Sequence, residues 1–312
     1  VRLVGSEMCI RDRFKSYFMG KKWIFIYLFI YLFLLFFRKQ IIYTCICTYI
    51  VKKMSKTIIF IHGLWIHTSS WQQWMEYFNG QGYKTLNPGW PGHFSTVTKC
   101  RQNPESISNR GVIEIVENYA KIIATLPELP IVIGHSFGGL IAQILLSRGL
   151  ASGCIAIDAA PMKGVWQLPF SVLKSSFPVL GNPFNFKKAK SLTFKQFCYG
   201  FANTLTKKEA RELYDRWTIP APCRPLFQAA TASIFGSETK VNTQNKTRGP
   251  LLIIAGGKDH QVPPILGKES RKKYNSSVIT DFKLFKGRGH SLVIDSGWKE
   301  IAEYSLIWLK KN

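Results

Sequence analysis

The sequence predicts an α/β protein with a mostly parallel central sheet flanked by helices, and three observations carry that expectation. From Thr57 onward short apolar strands alternate with helical patterns, the rhythm of parallel strands joined by crossover helices. Pro130–Gly134, Gly153–Asp158 and Leu251–Ala255 are continuous apolar runs, as strands covered on both faces require. The rhythm stops between Asp158 and Gly249 and then resumes, which reads as a helical cap inserted between two strands of one sheet.

The elements follow in order. Thr57–Ile61 is β-branched and runs into His62-Gly63, a strand ending in a turn. Ser69–Gly80 spaces Trp71, Trp74, Met75 and Phe78 as a helix with a Ser start and a Gly stop. Tyr83–Leu86 is a weak strand, and Asn87 to Gly92 is a Pro/Gly-rich loop. Gly111–Leu126 puts Val112, Ile115, Val116, Tyr119, Ile122 and Ile123 on one helical face. The strand Pro130–Gly134 leads into a helix over Phe137–Arg148. Within the interruption Lys207–Trp217 is helical, and after it come the strands Leu251–Ala255 and Phe282–Phe285 and a closing helix, Trp298–Leu309.

Residues 54–160 and 248–312 are therefore expected to form the core, and residues 161–247 the cap. Residues 1–53 differ in kind. Phe, Ile, Tyr, Leu and Lys fill 29 of the 40 positions from 14 to 53, with no Ala, Asp, Glu, Pro, His or Asn. Those amino acids share A/T-rich codons, and Gly5 to Arg13 resembles translated sequencing adapter, so a translation artefact is expected and the native chain is expected to begin at Met54. The alternative is a signal anchor through Trp23–Phe37, an apolar run of 15 residues between basic pairs, short of the roughly 17–25 that a spanning helix needs.

The net charge of +24 could suit an anionic partner, but ten Lys/Arg against two acids lie within residues 1–53. The remainder has no run of five like charges and no nucleic-acid-binding signature, so no nucleic-acid partner is expected. Seven cysteines with no CxxC pair indicate neither zinc nor a disulfide framework. They fit a reducing compartment, hence a cytoplasmic location, or a membrane-anchored one if residues 23–37 are real. No H-E-x-x-H, G-x-G-x-x-G or phosphate-binding loop occurs, so no metal and no cofactor is expected. Oligomeric state is not legible.

The chemistry centres on Gly134-His-Ser136-Phe-Gly138. G-x-S-x-G by itself is common, but here it joins a buried strand to a helix, the context of a nucleophile elbow. Side chains at Gly134 and Gly138 would collide with neighbouring backbone. The helix after Ser136 points its positive end at any developing oxyanion.

With this motif the chain resembles the α/β-hydrolase superfamily, and from Thr57 to Leu309 its cap-containing serine hydrolases. The resemblance implies an order of nucleophile, acid, histidine. Phe60-Ile-His62-Gly63-Leu64-Trp65 matches the oxyanion loop, so the implied donors are the backbone amides of Leu64 and Phe137. Leu251 to Pro263 matches the strand and loop delivering the acid, Asp259. Asp158, at the end of the preceding strand, is its rival. Phe285-Lys-Gly287-Arg-Gly289-His290 matches the histidine loop. His62 and His135 are expected to be structural, and Asp281 and Asp295 solvated or capping.

The expected activity is hydrolysis of a small apolar ester, thioester or lactone through an acyl-enzyme on Ser136, with His290 as base and Asp259 orienting it. Cofactor-free haloperoxidase or perhydrolase activity uses the same triad, and a non-catalytic small-molecule receptor could use the same fold. Phe170, Phe177, Phe184, Phe186, Phe194 and Phe197 either line an apolar substrate site or form the cap's own core.

Overall fold

Six parallel strands form one sheet, and its order explains where a site can lie. A computed structural model of the chain describes residues 55–275 and 277–312, together with Phe33. The expectations for residues 1–53 fall outside the described residues but for Phe33. Residues 54–312 separate from residues 1–53 as a unit of their own. Among the described residues no helix is long and apolar enough to cross a membrane.

The chain opens with β1 (Thr57–Ile61), a 3-10 turn (Thr68–Trp71), α1 (Gln72–Gly80) and β2 (Lys84–Leu86). Then come α2 (Val97–Gln102), α3 (Val112–Ala124), β3 (Ile131–His135), α4 (Phe137–Ser147) and β4 (Gly153–Ile157). The inserted segment holds α5 (Phe170–Leu180), the two-residue strand β5 (Ala189–Lys190), α6 (Phe194–Gly200), α7 (Lys207–Trp217), β6 (Ala221–Pro222) and α8 (Arg224–Thr231). The core closes with β7 (Leu251–Gly256), α9 (Pro264–Lys272), β8 (Thr280–Phe285) and α10 (Trp298–Lys311).

The sheet order is β2-β1-β3-β4-β7-β8, with β5 and β6 forming a separate antiparallel pair. Chain direction reverses at β1, which pairs β2 on one side and β3 on the other. In an open parallel sheet the crevice at such a reversal, at the strands' carboxyl ends, is where ligands bind. Here it lies between the loop after Ile61 and the turn after His135.

Burial explains which strands were readable. Every residue of β1, β3, β4 and β7 is buried. α4 is buried along its whole length and packs on β3 and β4. Next to β1, Phe60, Trp71, Trp74 and Phe78 interlock, with Phe60 stacked on Trp71 at 4.9 Å between centroids and edge-on to Phe78 at 6.0 Å. Such pairs add about 0.5–1.5 kcal/mol each beyond their burial.

One expectation shifts in detail, and one helix was not foreseen. The helix expected over 69–80 starts as a 3-10 turn capped by His67, whose Nδ1 accepts from the Ser69 amide at 3.1 Å. The helix α9 carried no expectation, because Leu266 is its one buried large apolar residue and Gly267 sits at its middle.

Candidate functional site

The turn after β3 is built around a strained serine. Ser136 has φ 57° and ψ −123°, a conformation that costs an ordinary residue about 1–3 kcal/mol. The surroundings hold it there. Its amide donates to Ile157 O at 2.9 Å, and its carbonyl accepts from Gly139 and Ala160 at 2.9 and 3.0 Å. The motif's glycines are sterically required. A Cβ on Gly134 would strike the Gly138 carbonyl, and one on Gly138 the carbonyl of Ile61. Gly63 belongs to the same packing problem, since a Cβ there would lie 2.7 Å from that of Ser136. The oxyanion-loop glycine thus lets the loop after β1 close on the serine. The Leu64 and Phe137 amides flank this junction, and neither finds a backbone acceptor among the described residues. For Phe137 the reason is general, because a helix's first N–H groups have no intrahelical partner.

The other predicted residues meet at the same sheet edge. His290 is fully buried, and its Nδ1 donates to Asp259 Oδ2 at 2.6 Å. A carboxylate can only accept, so the proton sits on Nδ1 and leaves Nε2 with a lone pair. That Nε2 is buried without a hydrogen-bond partner. Asp259 is fixed in turn, its Oδ1 accepting from the Gln261 and Val262 amides at 2.6 and 2.9 Å.

Asp158 is closer than its rival status suggested. Its Oδ2 lies 4.0 Å from His290 Nδ1 and has no hydrogen-bond partner, while Oδ1 accepts from the Gly256 amide at 2.6 Å. Burial, and then the neighbouring Asp259 charge, push its carboxyl well above the usual carboxylate range. Two buried like charges beside one imidazole cannot both be held cheaply, and burial favours the neutral form of Asp158.

His62 and His135 hold the architecture, as expected. His62 Nδ1 donates to Gly63 O at 2.8 Å, and its ring stacks on Trp90 and His93 at 4.9 and 4.7 Å. Burial lowers it to about 3, so it stays neutral. His135 Nε2 donates to the His290 carbonyl at 2.9 Å. His135, Asp158 and His290 are the one grouping among the described residues compact enough to hold a metal ion. Two of its imidazole nitrogens are already committed, one to Asp259 and one to the His290 carbonyl. Asp281 and Asp295 do act as local partners. Trp308 Nε1 donates to Asp281 at 2.7 Å, and Asp295, which is buried rather than solvated, pairs with Arg288 and accepts from the Gly297 amide at 3.0 Å.

A cavity of about 460 Å³ opens beside Ser136 and Phe137. Trp65 and Val262 line it from the core, and Val165, Leu173, Phe177 and Leu226 line it from the insertion. Among the described residues no ionisable side chain lines it. Of the six phenylalanines singled out in the sequence only Phe177 lines this cavity. Phe194 and Phe197 pack against Tyr214, Phe186 packs against Phe227, and Phe170 and Phe184 are exposed.

Residues 58–304 match the profile of the Alpha/beta hydrolase family. The chain belongs to that family. Solved structures of this α/β hydrolase fold are similar over about four fifths of the chain. A monoacylglycerol lipase of Paleococcus ferrophilus is 22% identical, with a TM-score of 0.58 over 81% of this chain and 93% of its own. An extracellular alpha/beta-hydrolase from a Paenibacillus species is 20% identical, with a TM-score of 0.59 over 80% and 98%. A methylesterase from Arabidopsis is 14% identical, with a TM-score of 0.57 over 82% and 99%. At these identities the likeness establishes the fold alone. No curated protein matches the sequence.

Sequence reasoning missed one residue at the site. Phe201, just after α6, sets its ring edge-on to His290 at 4.7 Å, and its carbonyl accepts from the Ser291 amide at 3.1 Å. Nothing local marks it out, because the contact depends on the insertion folding back over the histidine loop.

Proposed function

We propose that this hydrolase cleaves carboxylic ester-type bonds, in esters, thioesters or lactones, of small apolar molecules through an acyl-enzyme on Ser136. The observation that carries the reading is the 2.6 Å bond from His290 Nδ1 to Asp259, set at the same sheet edge as a serine locked at φ 57°. With Nδ1 held, Nε2 is the nitrogen able to take the Ser136 proton as Oγ attacks the carbonyl carbon. The carbonyl oxygen gains the negative charge, for which the Leu64 and Phe137 amides are the donors, each worth about 3–4 kcal/mol by analogy with other hydrolases. The imidazolium returns its proton to the leaving alcohol, thiol or lactone oxygen. Water, deprotonated by the same nitrogen, then releases the acid.

Residues 161–247 act as a cap in this reading, since they wall the cavity above Ser136. A cavity without an ionisable lining residue favours uncharged, apolar substrates, because a charged one would be desolvated without a partner. The lipase and esterases of similar fold agree with an ester substrate.

The test is a panel of p-nitrophenyl esters of increasing acyl length, with a fluorophosphonate probe and Ser136→Ala as control. Turnover that disappears in Ser136→Ala, with the probe on Ser136 by mass spectrometry, is expected. An active protein labelled elsewhere would overturn the assignment.

A further inference from the structure

The largest exposed apolar side chains are gathered around the cavity's rim. Trp166, Leu168, Phe177 and Ile234 line the cavity, yet each is more than 60% exposed. Beside them, outside the cavity, stand Phe170 at 77%, Phe184 at 81% and Phe235 at 70%. Elsewhere among the described residues only Ile307 reaches comparable exposure. Scattered apolar residues on a surface are ordinary, but a cluster at the entrance to an apolar site marks an interaction surface.

Charge selects the partner. Residues 161–190, which carry Trp166, Phe170, Phe177 and Phe184, contain five lysines and no acid. Lys174, Lys187, Lys188 and Lys190 are exposed. Lys163 donates to the Gly236 carbonyl at 2.6 Å, next to Phe235, so it borders the same patch. Bulky aromatic and aliphatic tips among five lysines, with Glu238 beside Gly236 as the acid at the patch's Phe235 end, match the two components of interfacial lipid binding, which are insertion of apolar side chains at headgroup depth and attraction to anionic headgroups. A protein partner of the same composition would need matching acids and a stable complementary shape. An anionic lipid surface supplies the negative charge diffusely and needs no fixed complementary shape.

We infer that the outer face of the insertion docks on an anionic lipid surface, with the cavity mouth against the lipid. The site then draws an apolar ester directly from that surface rather than from bulk water. The second half of this inference rests on the ester-hydrolase reading, and the first does not.

The test uses the full chain with two sets of substitutions away from the cavity and the candidate triad. One variant combines Phe170→Ser, Phe184→Ser and Phe235→Ser, and the other combines Lys187→Glu and Lys188→Glu. Binding to phosphatidylcholine vesicles with and without 30% phosphatidylglycerol is measured by sedimentation. Residues 1–53 are common to all the proteins, so differences report the insertion. The wild type is expected to bind the anionic vesicles. Each lysine near such a surface is worth roughly fivefold in partitioning, so the charge reversal should weaken binding by about tenfold or more, and the Phe triple variant comparably. Both variants should keep wild-type turnover on a water-soluble short-chain ester and lose turnover on an ester embedded in the vesicles. Wild-type protein that does not bind, or variants that bind as well as wild type, would overturn the docking inference. So would a concentration-dependent dimer that the Phe substitutions dissolve in the absence of lipid binding, because the patch would then belong to a second copy. Vesicle binding that behaves as expected in a protein inactive on every ester would leave docking standing and remove the ester-hydrolase reading instead.

Discussion

Asp158 and Asp259 each turn a carboxyl oxygen toward the same nitrogen of His290, at 4.0 and 2.6 Å. The shorter approach is a hydrogen bond and the longer one is not, so Asp259 sets the tautomer. Burial, and then the neighbouring Asp259, raise the Asp158 carboxyl well above the usual range and favour its neutral form. Asp259→Asn preserves shape but removes the acceptor, and in a serine protease the equivalent change lowers kcat by roughly 10⁴. We expect Asp259→Asn to lose about three to four orders of magnitude in kcat. Asp158→Asn, which mimics the neutral acid that burial favours, should lose less than about tenfold. Steady-state rates, measured well below both melting temperatures, decide the matter, and the reverse ranking would move the acid to Asp158.

The pH dependence of stability carries opposite signs at two places. The folded-state pKa of Asp158 is raised above its unfolded value. Its contribution is therefore fully present below about pH 4 and is lost as pH rises toward the folded value. Asp158→Asn should flatten that decline in melting temperature as pH rises from about 4, and a variant that declines like wild type would refute the raised carboxyl.

His62 works in the other direction. Its folded pKa, lowered to about 3 by burial, is depressed from 6.5, so the unfolded chain binds a proton that the native state refuses. Stability should fall by several kcal/mol, in order of magnitude, as pH drops from about 6.5 toward 3. His62→Phe keeps a ring against Trp90 and His93 but cannot titrate. Urea midpoints at pH 8 and pH 4.5 should differ less in this variant than in wild type. His93 and His135, both also lowered by burial, will keep part of the acid limb.

Strain at Ser136 predicts a trade between stability and activity. Glycine adopts φ 57° without the Cβ penalty, so Ser136→Gly should relieve about 1 kcal/mol or more that Ser136→Ala retains. For a chain of this size the difference corresponds to about 2–4 °C in melting temperature. Both variants should be inactive. Equal melting temperatures by scanning calorimetry would mean that the turn is not strained.

The sequence exposed this site unevenly, for physical reasons. The strands β3, β4 and β7 are buried on both faces, so their apolar runs are continuous and their ends mark the sheet edge where Ser136, Asp158 and Asp259 sit. Glycines fixed by backbone collisions, such as Gly134 and Gly138, leave a motif because no other residue fits. The insertion leaves no such trace. α5 turns Phe170, Leu173 and Phe177 outward and contains Pro178, so neither burial periodicity nor propensity announces a helix. Asp158 was legible as a strand-end acid, but its 4.0 Å approach to His290 follows from the pairing of β4 with β7 rather than from any local pattern.

Phe201 tests whether the insertion positions the base as well as walling the cavity. Its ring is sandwiched between His290, edge-on at 4.7 Å, and Phe197, stacked at 5.3 Å, and it also meets Trp65 in the cavity lining at 6.4 Å. Asp259 fixes one end of the imidazole, and Phe201 limits its tilt about that bond. Phe201→Leu keeps an apolar side chain but removes the flat edge, and the vacated space should cost about 1–3 kcal/mol of stability. Displacements near 1 Å at a reacting group can cost on the order of 10²-fold, so a partial loosening of His290 should lower kcat about tenfold. KM should change little, since binding in the cavity is made by other side chains. A purely structural role for Phe201 would lower the melting temperature and leave kcat, measured at 25 °C on fully folded protein, unchanged, and that outcome would confine the insertion to walling the cavity.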